Sequence, residues 1–172
     1  MGLIRELNGK KPRFGDGCWL AETAVVIGDV EMGSECTVWY NAVVRGDVHY
    51  IRIGDKVNIQ DGTVINCEYQ TCPVNIGSNV TIGHNAIMHG CTIHDHVLIG
   101  MGATVMNDAV VHSGSIIAAG AVIKEGQVVD SGEIWAGVPA RMVNEIDPEQ
   151  VKKMVQDSAD RYVKYAGWYK ET

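Results

Sequence analysis

The sequence of 172 residues lacks the features of an exported or membrane-spanning protein. No run of apolar residues is long enough to cross a bilayer. The amino-terminal segment 1–6 has neither the apolar core of a signal peptide nor the Ser or Thr of a myristoylation site. We therefore expect a cytoplasmic protein that does not interact with membranes.

Positive charge is also scarce, with 14 Lys and Arg against 21 Asp and Glu. The formal net charge of -7 at pH 7 argues against electrostatic binding to nucleic acid or to an anionic membrane surface. The expected partners are small molecules or further copies of the same chain.

Cysteine is too sparse and too scattered for a disulfide framework. The chain has five cysteines, an odd number that suits free thiols in a reducing compartment. Cys67 and Cys72 are close enough in sequence to form a redox pair or to act as auxiliary metal ligands. We favour the simpler interpretation, in which both are thiols without a special role.

The sequence is instead rich in a six-residue apolar repeat. Four runs are separated by a three-residue slip, a five-residue insertion and one early restart, and together they contain nineteen large apolar anchors. These anchors are Phe14, Leu20, Val26, Met32, Val38, Val44, Ile53, Ile59, Ile65, Ile76, Ile82, Met88, Ile93, Ile99, Val105, Val111, Ile117, Ile123 and Val129.

A six-residue period fits neither a helix nor a simple strand, whose periods are about 3.6 and 2. It is typical of short strands joined by corners, with the repeated residue pointing into a shared core and glycine accepting the unusual backbone angles. We predict an all-β fold, a parallel β-helix of hexapeptide repeats with about six triangular coils and a C-terminal α-helix. The period does not determine the handedness of the coil.

The character of the sequence changes after Val138. We expect residues 1–138 to form the β-helix and residues 139–172 to form an exit turn and one helix. Asp147 is placed as the N-cap and Pro148 as the first helical residue. The apolar positions at helical spacing, which predict a helix packed on the prism or on a neighbouring subunit, are Val151, Met154, Val155, Tyr162 and Tyr165.

Stacking of the hexads predicts which distant residues are neighbours. In a three-sided coil, residues at the same place in hexads three apart lie above one another. Arg45, Asn66 and His89 each follow an anchor directly, and their anchors are three hexads apart. They should form one column on one face of the prism.

A second column is expected on a neighbouring face. Asp61 and His84 each lie two residues after an anchor, again three hexads apart, and Gln60 adjoins Asp61. A threefold assembly would bring one face of each subunit against the other face of its neighbour. A site between subunits, built from both columns, would follow from trimerisation.

Two histidines alone are a weak signal for a metal, and surface histidines on a β-prism are the ordinary interpretation. Nearby polar residues change this assessment, because they resemble a set of metal ligands with the groups that orient them. These residues are Arg45, Asp47, Gln60 and Asp61.

Several short motifs then carry a resemblance over nearly the full length. They are Val44-Arg45-Gly46-Asp47, Asn58-Ile59-Gln60-Asp61-Gly62, Ile82-Gly83-His84 and His89-Gly90-Cys91-Thr92-Ile93. Through these motifs the chain resembles the γ-class carbonic anhydrases and related bacterial hexapeptide-repeat proteins. The turn 137–140, Gly-Val-Pro-Ala, adds weaker support because hexapeptide acyltransferases share it.

The resemblance implies a left-handed β-helix, a homotrimer and one metal, usually zinc, at each subunit interface. Three histidines from two subunits would bind it; two map to His84 and His89, and the third position is Asn66. A neutral amide oxygen is a weaker zinc ligand than imidazole. Zinc or another divalent metal could be held weakly, the site could be rescued by Cys67 or water, or the scaffold could be empty.

The resemblance also implies roles for the polar residues. Gln60 would orient the hydroxide that attacks CO2 to give bicarbonate. Arg45 and Asp61 would form an ion pair across the interface, with Asp47 in support. Glu68, on the insertion, is a candidate for proton export. The Arg45–Asp61 pair could equally hold the trimer together without any catalytic part.

Three functions follow from these observations. The first is a carbonic anhydrase-like trimer with an impaired metal site, whose pocket Tyr162 or Tyr165 helps to close. The second is an acyl-CoA-dependent acyltransferase with His84 or His89 as general base. The third is a non-catalytic trimeric scaffold, favoured by Asn66.

Overall fold

A computed structural model of the chain describes residues 2–170. Its strands, in chain order, are β1 (Leu3–Arg5), β2 (Arg13–Phe14), β3 (Trp19–Leu20), β4 (Val25–Met32), β5 (Thr37–Val38), β6 (Val43–Ile53), β7 (Asn58–Ile59), β8 (Val64–Asn66), β9 (Val74–Ile76), β10 (Thr81–Ile82), β11 (Ile87–His89), β12 (Thr92–Ile93), β13 (Leu98–Ile99), β14 (Thr104–Val105), β15 (Val110–Val111), β16 (Ile116–Ile117), β17 (Val122–Ile123), β18 (Val128–Val129), β19 (Glu133–Gly137) and β20 (Ala140–Glu145). The helix α1 spans Pro148–Lys170.

The strands stack as the three faces of a parallel β-helix. The first face contains β1, β4, β6, β8, β11, β14 and β17, and the third contains β3, β5, β7, β10, β13, β16 and β19. The second contains β2, β4, β6, β9, β12, β15 and β18, because the long strands β4 and β6 turn a corner and serve two faces. The predicted hexapeptide β-helix is therefore confirmed.

The anchor register predicted from the sequence is also found. Val44 pairs with Ile65 and Ile65 pairs with Met88, across both the slip and the insertion. Anchors from the second coil onward are buried, and Phe14 and Leu20 of the first coil pack partly exposed against the core. Ile4 in β1 lies before the repeat, and Trp135 in β19 lies after it. With these two positions each face has seven strands, one more than the roughly six coils counted from the anchors.

The three-residue slip is absorbed where β4 meets β6, with a shift in register between Gly28 and Val30. Gly28 has φ 77°, and a Cβ there would collide with the carbonyl oxygen of Gly46. Only glycine fits both conditions. The slip lets residues 47–50 bulge from the prism beside Arg45.

The residues after the coils form a hairpin and then the helix. Strand β19 is the last parallel strand of the third face and turns back through 138–139 into antiparallel β20. The predicted N-cap is present, since the amide of Glu149 donates to Asp147 Oδ1 at 3.0 Å.

Among residues 2–170, no helix is both long and apolar enough to cross a membrane.

Helix α1 packs on the prism of its own chain. Its buried residues Val151, Val155, Ala159 and Ala166 form one face. Lys56 Nζ lies 3.0 Å from Asp160 Oδ1, which joins the prism to the helix. The helix therefore borders the third face, where Asp61 and His84 lie.

Candidate functional site

The first column of polar residues stands where the register places it. Asn66 pairs with Arg45 on one side and with His89 on the other, in three adjacent parallel strands. Because these strands belong to successive coils of one face, their side chains form a vertical row on the outside of the prism. The predicted row is confirmed.

Asn66 is held within this row by a reciprocal arrangement. Its Oδ1 accepts a hydrogen bond from Arg45 Nη2 at 2.9 Å, and its Nδ2 donates to the carbonyl oxygen of Arg45 at 2.6 Å. Arg45 Nη1 also forms an ion pair with Asp47 Oδ2. Asn66 is only 7% exposed, because Arg45 covers it and binds its amide oxygen.

His89 is oriented by a residue that the sequence did not single out. Its Nδ1 lies 2.6 Å from Asn107 Oδ1, and Asn107 Nδ2 donates to Glu68 Oε2 at 3.4 Å. An amide oxygen only accepts, so Nδ1 carries a proton, and in the neutral ring the lone pair is therefore on Nε2. Asn107 lies at the corner of the next coil, a position that the hexad count supplies.

His84 has the equivalent arrangement on the third face. Its Nδ1 lies 2.9 Å from Asp61 Oδ2, which confirms the second predicted stack. The two side chains are 42% and 43% exposed, so the ring reaches the surface. The carboxylate accepts the Nδ1 proton and leaves Nε2 to a ligand.

Gln60 ends a chain of hydrogen bonds that reaches helix α1. Gln60 Nε2 donates to Asn58 Oδ1 at 3.0 Å, and Asn58 Nδ2 donates to Thr81 Oγ1 at 2.9 Å. Thr81 Oγ1 in turn donates to Ser158 Oγ at 3.2 Å. Every donor in the chain points toward the helix, which leaves Gln60 Oε1 as an acceptor for another group. The role of Ser158 was not apparent in the sequence.

A groove adjoins Gln60 and His84, between the third face and the helix. Its volume is about 510 Å³, and its helical wall contains Arg161, Tyr162 and Tyr165. Burial, with a smaller contribution from the charge of Asp61, raises the pKa of Tyr162. Tyr162 and Tyr165 were expected to help close a pocket, and both line this groove.

The thiols near the insertion are not placed to replace a histidine. Cys67 is 3% exposed, its Sγ donates to the carbonyl oxygen of Tyr50 at 3.3 Å, and burial raises its pKa to about 11. Cys72 Sγ donates to Asp108 Oδ2 at 3.4 Å, and both cysteines are free. Because successive side chains of a strand alternate, Cys67 lies on the core side of its strand, opposite to Asn66, and its thiol is directed at the carbonyl oxygen of Tyr50.

The donor set fits zinc in part. His84 and His89 each present Nε2 with Nδ1 fixed by an oxygen, which is the arrangement of metal-binding histidines. Asn66 does not fit, because a cation would have to displace Arg45 from its oxygen. Within one chain, residues 2–170 contain no group of three or more His, Cys, Asp and Glu side chains placed to hold a metal.

Comparisons with known proteins agree on family and fold. The sequence matches the profile described as bacterial transferase hexapeptide (six repeats) at residues 73–105 and 90–125. It is 52% identical to the "Probable carbonic anhydrase" of Methanocaldococcus jannaschii, over 84% of this chain and 90% of that protein. It is 39% identical to gamma carbonic anhydrase 2, mitochondrial, of Arabidopsis thaliana, over 91% of this chain but only 58% of the plant protein.

Among solved structures, the fold is similar to that of a hexapeptide transferase family protein from Anaplasma phagocytophilum. The TM-score is 0.91 with 38% sequence identity, over 97% of this chain and 98% of that one. The two chains therefore share the coils and the carboxyl-terminal region.

Proposed function

This chain belongs to the γ-carbonic anhydrase family of hexapeptide-repeat proteins, and on that basis we propose that it is a homotrimer that hydrates CO2 weakly. The proposed site lies between subunits, with His84 from one and His89 from the next. One observation carries the proposal. In both imidazole rings Nδ1 is hydrogen-bonded to an oxygen, which leaves Nε2 available to a ligand.

The two histidines would hold a zinc ion through their Nε2 atoms. Zinc, when bound, supplies a Lewis acid that lowers the pKa of water to about 7. Asp61 and Asn107 keep each imidazole in the tautomer that can bind. Gln60 Oε1, fixed by the hydrogen bonds that lead to Ser158, would accept a hydrogen bond from the attacking water and so orient it.

The remaining residues act on charge and protons. Glu68 would take up the proton that hydration releases; its exposure on the insertion and its contact with Asn107, the partner of His89, support this role. The side chain of Arg45 is 42% exposed. It can pair with Asp61 of the neighbouring subunit while it retains Asp47.

Asn66 makes this site weak. The amide oxygen that stands where a third histidine is expected already accepts from Arg45 at 2.9 Å. Two imidazoles without a third protein ligand bind zinc less tightly than three. We therefore expect partial zinc occupancy and slow CO2 hydration.

A mixing experiment tests the intersubunit arrangement. His84→Ala and His89→Ala trimers each lack every complete histidine pair, but co-expression restores about a quarter of the pairs in random trimers. We expect zinc binding to return in the mixture and to be absent in each variant alone. If the mixture binds no more zinc than the separate variants, the site between subunits is wrong.

Metal content and activity test the reaction itself. Protein purified without chelator should hold less than one zinc per subunit, and added zinc should raise its rate of CO2 hydration. Wild-type protein that holds zinc but hydrates CO2 no faster than the His84→Ala variant would leave a non-catalytic trimeric scaffold as the better account.

A second function is favoured by the groove beside His84. The Asp61–His84 pair is arranged as an oriented general base. The volume of about 510 Å³ is large enough for part of an acyl thioester, and Arg161 offers a cation to an anionic group. This geometry suits an acyl-CoA-dependent acyltransferase. Calorimetry with acetyl-CoA separates the two, because absence of binding at millimolar ligand would remove this alternative.

A further inference from the structure

Two cysteines lie next to each other near the amino-terminal end of the prism, away from the proposed metal site. Cys18 precedes β3 in the first coil, and Cys36 precedes β5 in the next coil. Because Trp19 pairs with Thr37, the preceding residues also stack, and the amide of Trp19 donates to the carbonyl oxygen of Cys36 at 2.9 Å. The two thiols therefore occupy equivalent corners of adjacent coils.

The environment of the pair differs between its members. Cys36 is fully buried, with its Sγ 3.1 Å from the carbonyl oxygen of Gly54, whereas Cys18 is half-buried. Phe14 and Leu20 of the same coil are also only partly covered. A cavity of about 530 Å³, lined by Phe14, Leu20 and Cys18, opens there. Reagents from solvent can reach Cys18 but not Cys36.

The neighbouring Cys36 favours the ionised form of Cys18. A hydrogen bond from Cys36, aided by the positive charge of Lys170 and opposed by burial and by Asp55, lowers the pKa of Cys18 to about 7. Lys170 Nζ is fixed nearby through a hydrogen bond to the carbonyl oxygen of Gly17 at 3.0 Å. The same pairing raises the pKa of Cys36, which stays a thiol and a donor.

We propose that Cys18 and Cys36 form a reactive thiol site that accepts peroxides and other soft electrophiles. Cys18 is the attacking thiolate, held next to its resolving partner Cys36 in the adjacent coil. This site is independent of the histidines and of CO2 hydration.

With hydrogen peroxide the chemistry balances in two steps. The Cys18 thiolate attacks one peroxide oxygen, the O–O bond breaks, and hydroxide leaves while Cys18 becomes a sulfenic acid. The sulfur of Cys36 then displaces the hydroxyl as water and loses its proton, which forms a Cys18–Cys36 disulfide. Two thiols lose two electrons in total, and the peroxide is reduced to two molecules of water.

The spacing of the coils allows this bond. Adjacent parallel strands lie about 4.8 Å apart, within the roughly 4.4 to 6.8 Å between the Cα atoms of disulfide-bonded residues. Other thiols of the core are unsuited to the chemistry, since burial raises the pKa of Cys91 to about 12. The same hexad position is filled by Ser115 in the column of Cys36 and by Ala24, Ala42 and Ala86 at another corner, so a small side chain is accommodated there and Cys36→Ala should fold.

Alkylation rates test the reactivity of Cys18. With a pKa near 7 instead of 9.0, Cys18 has about fifty times more thiolate at pH 7. The lower intrinsic nucleophilicity of that thiolate reduces the reaction rate about eightfold. Iodoacetamide should therefore modify Cys18 in the folded protein about sixfold faster than in the urea-unfolded chain. Cys36→Ala should remove this advantage, and Cys72→Ala is the matched control that should not.

Peptide mapping after peroxide treatment tests the pair. No Lys or Arg lies between Arg13 and Arg45, so trypsin leaves both cysteines in one peptide, whereas Glu-C cleaves between them after Glu22, Glu31 and Glu35. We expect a peptide pair joined by a reducible 18–36 bond. In Cys36→Ala, where no second thiol can displace the hydroxyl, dimedone should instead trap a sulfenic acid at Cys18 that forms more slowly than the disulfide of the wild type. A disulfide between other cysteines, or Cys18 alkylation no faster than in the unfolded chain, would overturn the proposal.

Discussion

The His84 and His89 sides of the proposed site follow the same stacking rule but have different neighbours. On the third face a charged carboxylate, Asp61, orients His84. On the first face a neutral amide, Asn107, orients His89. The His84 side borders the groove and helix α1. The His89 side borders the insertion and the row that contains Asn66.

This difference shows that the position where a third histidine is expected has a structural use in this chain. Asn66 does not leave a gap in its row, because both ends of its amide bind Arg45. The first face thereby gains a partly buried hydrogen-bonded network, while the third face keeps an oriented base. The weakness of the site is expected on the first face alone.

The largest expected effect comes from Asn66→His. Zinc binding by four protein ligands is worth about 10 to 16 kcal/mol, so one added imidazole is worth about 3 kcal/mol, or about 100-fold in affinity. Zinc titration against a competing chelator measures this change. Asn66→Ala is the control, since it frees Arg45 without adding a ligand. Full zinc occupancy in the wild type, unchanged by Asn66→His, would show that Asn66 is no defect.

Exchange of the two orienting groups tests the comparison directly. In the Asn66→His protein, Asp61→Asn should weaken zinc binding by about tenfold, because a carboxylate makes the His84 ring more basic than an amide does. The same competitive titration reads the effect. Equal affinities in both proteins would mean that Asp61 acts only as a structural partner of His84.

The converse exchange, Asn107→Asp, places a carboxylate on the His89 side. We expect zinc affinity to rise by less than about tenfold, since Glu68 lies within 3.4 Å of Asn107 and repels the new charge. Glu68→Gln in the same background should increase the gain. If zinc affinity falls both in Asn107→Asp and in the double variant with Glu68→Gln, this account of the first face is wrong.

The smallest effect is expected at the helix. Ser158→Ala removes the last member of the chain from Gln60 and should lower the free energy of unfolding by about 1 kcal/mol. Zinc affinity should be unchanged, because neither histidine touches Ser158, while the rate with zinc should fall if Gln60 orients water. Thermal unfolding and CO2 hydration measured on one preparation separate these results.

Much of the site followed from counting. The hexad register placed Asn66 between Arg45 and His89 and set Asp61 beside His84, despite a slip and an insertion. Asn107 and Ser158 were missed for different reasons. Asn107 lies at a corner of the next coil, so the hexad count places it near His89. It was missed because it belongs to none of the recognised motifs. Ser158 lies 77 residues from Thr81, and no repeat relates a helix to a coil.

The sequence by itself determined which residues stand above one another. Backbone hydrogen bonds between coils fix the rise, so a period of six, with apolar anchors, converts position in the chain into position on a face. Only the tertiary structure decided which polar atoms meet. The direction of the Asn66 amide and the docking of α1 against Thr81 depend on side-chain rotamers and long-range packing, which the period of the sequence does not encode.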